Sequence, residues 1–209
     1  MTKAVTKAAS KAVVFDVGRV LFDWQLRALF EKLIADESEL DWFLSNVVTE
    51  EWHFQHDRGV TLAEMLPARI AQFPNQALRI AAYAARFNET AADPVDGVHD
   101  IVYRLKESGA ALFCLTNFGD ELFEQFRAQH AIFALFDDII VSGAEKIAKP
   151  DARIYKLVET RSGRPGDALF FTDDNPDNIA AAKLRGWDAH LFTDAASLEA
   201  QLERAGFFK

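Results

Sequence analysis

The feature that most constrains the fold of this chain is a repeated rhythm of short, continuous apolar runs separated by helix-periodic segments. The runs fall at residues 12–15, 110–115, 139–141, 168–171 and 189–192. Runs of this length without polar alternation fit strands covered on both faces. Between them, residues 98–108 are closed by Gly109, 152–162 by Gly163 and 178–185 by Gly186, with a further helical period over 121–129. Helix, glycine stop and strand in succession predict an α/β fold built on a parallel sheet.

Residues 24–93 break the rhythm. They offer amphipathic stretches at 26–35, 39–47 and 61–73 and no convincing strand. An insertion placed directly after the first strand lies over the carboxyl ends of the sheet, where open α/β folds bind ligands. Its natural role is a lid, with Asp93-Pro94 marking the return to the sheet. The expected division is a core of residues 1–23 and 94–209 and a helical cap of residues 24–93.

Composition narrows the partners. A formal charge of −9, with 23 basic residues scattered among 32 acidic ones, disfavours a nucleic-acid surface. An anionic small substrate would need a local positive site. Residues 1–11 carry three lysines without a signal-peptide core, and no run approaches the ~20 apolar residues of a membrane span. The expectation is a soluble, cytoplasmic protein. Cys114, the single cysteine, lies in an apolar run and reads as a buried, inert thiol.

The strand ends carry the chemistry. Asp16 follows the first run, Thr116 and Asn117 the second, and Asp173 and Asp174 the fourth; Lys149-Pro150-Asp151 precedes the helix near residue 152. Each alone is an ordinary turn or cap residue. Together they share a chemistry. Acids from two strands offer oxygen ligands to Mg²⁺, Thr116 and Asn117 can donate to a phosphoryl oxygen, and Lys149 adds a fixed positive charge. Asp16 is then the candidate nucleophile, attacking phosphorus to form an aspartyl-phosphate. Arg19 either meets an anionic substrate or balances the charge of Asp16 and Asp23.

These stations, FDVGRVLFD at 15–23, LTN at 115–117, KPD at 149–151 and FFTDDNPDN at 170–178, resemble the haloacid dehalogenase superfamily in order and spacing. More narrowly, FDVGRVL, WHFQHDRG at 52–59, KPDARIY and DDNPDNI look like bacterial sugar-phosphate phosphatases similar to α-D-glucose-1-phosphatase. The resemblance implies a Rossmann-like core with a helical cap. It implies Mg²⁺ held by Asp16, the backbone carbonyl of Gly18 and Asp174, with Asp173 as a supporting carboxylate. It also implies hydrolysis of a small phosphorylated metabolite.

Most phosphatases of that superfamily place an acid at the position of Gly18, where it protonates the leaving oxygen. The narrower subgroup tends to have glycine there as well. General acid help is worth about 10²–10⁴-fold, so slow hydrolysis, a good leaving group such as an anomeric phosphate, or another proton donor is expected. His53 and Asp57, four apart in the cap, form one candidate pair, with an imidazole titrating near neutrality beside a carboxylate. The alternative for them is a solvated helix face. Trp24, Trp42 and Trp52 are candidates for the inner side of the lid or for packing. Asn178 either ties down the last loop or serves as a helix-start residue. Two rival functions share the scaffold: a metal-free 2-haloacid dehalogenase, in which adjacent acids at 173 and 174 would be awkward, and a non-catalytic phosphate-binding protein. Oligomeric state is open.

Overall fold

The computed structural model describes residues 11–91 and 93–208. Ten of the eleven residues behind the leader argument therefore lie outside the described part. Five strands, β1 (Ala12–Phe15), β2 (Ala111–Thr116), β3 (Asp138–Val141), β4 (Leu169–Asp173) and β5 (Asp188–Leu191), form one parallel sheet in the order β3-β2-β1-β4-β5. Each expected strand is present, with bounds shifted by no more than two residues.

The unbroken apolar runs have the expected cause. Val13 and Phe15, with Leu112, Cys114 and Phe170, point into one core layer; Ala12 and Val14, with Phe113, Leu115, Leu169 and Phe171, point into the other. Both faces are covered, so neither tolerates polar residues. Parallel pairing sends every carboxyl end to the same edge. Phe15 pairs with Cys114 and Thr172, and the Asp16 amide donates to the Thr172 carbonyl at 3.0 Å. Asp16 and Asp173 thus leave neighbouring strands at one level.

The insertion after β1 holds five helices: α1 (Leu26–Phe30), α2 (Glu37–Asn46), α3 (Glu50–Asp57), α4 (Leu62–Gln72) and α5 (Ala77–Ala85). The periodic run at 26–35 stops as a helix at Phe30, and α2 restarts where the Asp36 side chain accepts from the Glu39 amide. A capping box between Thr61 and Glu64 starts α4. The two stems of the insertion are tied together, since the Asp23 amide donates to Asp93 at 2.9 Å and the Val95 amide to Leu21 at 3.1 Å. After the return come α6 (Val98–Glu107), α7 (Asp120–Arg127), α8 (Ser142–Glu145), α9 (Ala152–Ser162), α10 (Pro176–Leu184) and α11 (Ala195–Arg204). Among the described residues, no helix is long and apolar enough to cross a membrane.

The seam between insertion and sheet is tight at α3. Buried Ser142 donates from Oγ to the Asp57 carbonyl at 2.6 Å and accepts from the Phe118 amide at 3.0 Å. Beside it the His56 ring lies against Gly119, where an added Cβ would fall 1.8 Å from Cδ2. Gly119 is therefore required by close approach rather than by backbone conformation. Gly119→Ala is expected to cost about 1–3 kcal/mol through overpacking, read as a fall of several degrees in a thermal melt; an unchanged melting temperature would show that the seam yields freely.

Candidate active site

Three of the sequence-marked stations converge on the buried lysine of the fourth. Lys149 is 1% exposed, and its Nζ lies 2.9 Å from Asp16 Oδ1 and 2.6 Å from Asp173 Oδ2. Burial alone would lower its pKa, but the charges of Asp16 and Asp173 and their hydrogen bonds outweigh it and hold the ammonium charged. Its backbone is clamped by Asn117, which donates from Nδ2 to the Lys149 carbonyl at 3.1 Å and accepts at Oδ1 from the Lys149 amide at 2.8 Å. Asn117, expected to reach a phosphoryl oxygen, is thus engaged in positioning the lysine. Thr116 is nearly fully buried and does not line the cavity described below, yet its Oγ1 has no protein partner.

Asp173 is saturated within the protein. Its Oδ1 accepts from the Asn175 amide at 2.8 Å, and Asn178 Nδ2 reaches both carboxylate oxygens at 3.0 Å. Asn178 therefore does tie the last loop down. Asp16 Oδ1 also accepts from the Val17 amide at 2.7 Å. Burial, assisted by Asp173 and Asp174 and opposed by Lys149, pushes the Asp16 carboxyl up to about 8. Asp174, half-buried, is raised as well, first by burial and then by Asp173, with Arg19 and Lys149 opposing.

Asp16, Asp173 and Asp174 each bring a carboxylate oxygen within 4.8 Å of the others. Three acids this close repel unless cations lie between them, so the donor set fits a hard divalent ion with oxygen ligands. Asp16 and Asp174, whose oxygens the protein leaves less occupied, could hold such an ion, with Asp173 joined to Asp16 through Lys149. Gly18 lines the same cavity. Arg19 reaches Glu50, lies 3.9 Å from Asp174 Oδ2, and sits over the Trp24 ring at 5.0 Å. It does balance charge, but with Glu50 and Asp174 rather than with Asp16 and Asp23.

These groups line a cavity of about 470 Å³. Asp16, Gly18, Asn117, Lys149 and Asp174 line it together with Trp24, Phe54, Phe87, Ala91, Phe118 and Phe126. His53 and Asp57 also line it, which removes the reading of a solvated helix face: they are 6% and 4% exposed. The His53 ring is stacked between Trp24 and Phe87, at 4.9 and 5.6 Å. Burial, with the charge of His56, lowers its pKa to about 3, so the imidazole is neutral and does not titrate near neutrality as the sequence suggested. Asp57 has moved instead, pushed by burial up to about 7. Trp42 lies outside at 45% exposure, and Trp52 packs against Tyr83. Cys114 is buried, with its thiol pushed well up by burial, as expected of an inert group. Nothing in the sequence marks Ser142, Tyr83 or Phe87, because small and aromatic residues in short helices look alike whether they pack or line a site.

Residues 10–186 match the haloacid dehalogenase-like hydrolases, and the chain belongs to that family. A sesquiterpene phosphatase, astK, of Aspergillus oryzae is 28% identical over 191 residues, covering 88% of this chain and 91% of that one. An (S)-2-haloacid dehalogenase of Pseudomonas putida is 31% identical over 94 residues, 45% of this chain and 41% of the enzyme. Among solved structures, the HAD family enzyme bt-2542 of Bacteroides thetaiotaomicron, in complex with magnesium and inorganic phosphate, superposes with a TM-score of 0.69 at 21% identity, covering 88% of this chain and 95% of that one. The L-2-haloacid dehalogenase of Xanthobacter autotrophicus gives a TM-score of 0.67 at 20% identity, covering 95% and 84%.

Removing the lysine tests the site's electrostatics. Lys149→Met leaves Asp16 and Asp173 buried without their cation and is expected to cost about 3–5 kcal/mol in EDTA. Asp16, already raised in the folded state, rises further in the variant. The stability of a group so raised is fully present below its unfolded pKa and lost as pH climbs through the folded value. The deficit should therefore be small near pH 5 and largest above about 8, measured by denaturant midpoints; a deficit independent of pH would contradict the assignment.

Proposed function

We propose that the chain is a Mg²⁺-dependent phosphatase of small phosphomonoesters that works through an aspartyl-phosphate on Asp16. The observation that carries this reading is the Asp16–Lys149–Asp173 cluster with Asp174 beside it at the cavity. A carboxylate attacking a phosphoryl dianion must overcome like-charge repulsion. Mg²⁺ bound by Asp16, the Gly18 carbonyl and Asp174 would offset that repulsion and polarise the phosphoryl group. Lys149 holds Asp16 in place with its charge. Residues 24–93 act in this reading as a cap over a core of 11–23 and 94–208.

The lining bears on the leaving group. A sugar, as the narrower resemblance implies, needs hydroxyl partners, whereas the cavity wall includes the rings of Trp24, Phe54, Phe87, Phe118 and Phe126. An apolar alcohol fits that wall better, in keeping with the fungal sesquiterpene phosphatase among the relatives. The dehalogenase reading is disfavoured by the adjacent acids, which a metal-free anionic site would bring into repulsion.

Purified protein given p-nitrophenyl phosphate, a prenyl phosphate, sugar phosphates and 2-haloacids separates these readings. Phosphate release that stops with EDTA and with Asp16→Asn, and that favours the prenyl over the sugar esters, is the expected result. Halide release insensitive to EDTA would replace it with the dehalogenase, and silence throughout would leave a binding protein.

A further inference from the structure

We propose that Asp57, carried by the inserted helix α3, supplies the proton to the departing oxygen in place of the acid that Gly18 lacks; this rests on the phosphatase reading above.

Asp57 lines the same cavity as Asp16 and Lys149 and is 4% exposed. Its Oδ1 is buried without any protein partner. A buried, unsatisfied carboxyl oxygen costs free energy unless something at the site uses it. The other carboxyls that line the cavity are committed or more open: Asp16 to Lys149, Glu50 and Asp174 to Arg19, while Glu51 and Asp177 are exposed. Asp57 alone among them is both buried and without a close cation.

His53 lies beside its other oxygen. Burial and the charge of Asp57 push the Tyr83 hydroxyl well above its ordinary range, so it keeps its proton. Tyr83 Oη lies 2.6 Å from His53 Nδ1 and His53 Nε2 lies 3.4 Å from Asp57 Oδ2. A neutral imidazole accepting from Tyr83 at Nδ1 carries its hydrogen on Nε2, the ring atom on the side of Asp57 Oδ2. Oδ1 is left as the oxygen that holds the transferable proton. The backbone is pinned from the core side by Ser142 Oγ at 2.6 Å.

The groups facing Asp57 are His53 and His56 of its own helix, Tyr83 of α5, the Gly119 amide ahead of α7, and Lys149. Burial raises the carboxyl to about 7, while His56, the Gly119 amide and Lys149 pull it back. A group poised there can give a proton in one step and take it back in the next. In the first step Asp16 Oδ bonds to phosphorus, the bond from phosphorus to the ester oxygen breaks, and that oxygen takes the Asp57 proton to leave as an alcohol. In the second, water attacks phosphorus, Asp57 carboxylate accepts one water proton, and the bond from Asp16 to phosphorus breaks, releasing phosphate and restoring both acids.

Leaving groups of different acidity give the test. A p-nitrophenolate leaves without protonation; a simple alkoxide does not. The quantity compared is kcat/KM, which covers only the steps up to departure of the alcohol. Asp57→Asn is expected to lower kcat/KM for an alkyl phosphate by about 10²-fold or more, at least ten times its loss on p-nitrophenyl phosphate. The wild-type protein gives a second measurement that needs no folded variant. Its kcat/KM for the alkyl ester should fall as pH rises through about 7, as Asp57 ionises, and the aryl ester should lack that limb. Equal losses on both esters, superimposable alkaline limbs, or hydrolysis of the aryl ester alone would overturn the assignment while leaving the phosphatase reading standing. Release of phosphate from neither ester would remove both.

Discussion

A single buried ammonium organises the functional edge of this molecule. Lys149 joins Asp16 at the end of β1 to Asp173 at the end of β4, and Asn117 at the end of β2 grips its backbone. Three strands are thereby cross-linked at their carboxyl ends through one residue. Such an arrangement is costly to desolvate and becomes far worse if either sign is removed. Asn175 and Asn178 hold Asp173, so the lysine is fixed from both sides before any substrate arrives. In the proposed reaction, positioning of this kind would set the geometry in which the Asp16 carboxylate meets phosphorus.

The sheet was legible in the sequence because its physics is local. Runs such as 12–15 and 168–171 need apolar side chains on both faces, and glycines such as Gly163 and Gly186, both at positive φ, close the helices before the next strand. The residues directly after those runs then fall at one edge by topology alone. The partners within that edge were less legible. Asn117 lines the cavity, and its amide is also bound to the Lys149 main chain, a contact across 32 residues that no local pattern reveals.

The cap shows where reading by pattern fails. The spacing of His53 and Asp57 marked them as a pair on one helix face, and they are one. Which of the two titrates near neutrality depends on burial, and burial depends on Trp24, Phe87 and Tyr83 arriving from other segments. In an apolar enclosure desolvation disfavours the charged form of both groups, so imidazole falls and carboxyl rises. The roles expected from ordinary pKa values are therefore exchanged. A helix that looks like a solvated surface in sequence becomes part of the cavity wall because Ser142 and the space at Gly119 let it close on the sheet.

Charge at the cavity explains why a divalent cation suits the site. Four carboxyl groups, Asp16, Asp173, Asp174 and Glu50, face two cations, Lys149 and Arg19, and Asp16, raised to about 8, adds its charge only as it ionises. Both cations are already engaged, so an incoming phosphate dianion meets a surplus of negative charge in a chain whose formal net charge is −9. Ionising Asp57 would deepen that surplus, and keeping it protonated limits the repulsion. A hard cation between Asp16 and Asp174 would turn the same excess into a binding surface for phosphoryl oxygens. The acidity that argues against nucleic-acid binding over the whole surface is thus, at this one edge, what makes a metal-bridged anion site workable.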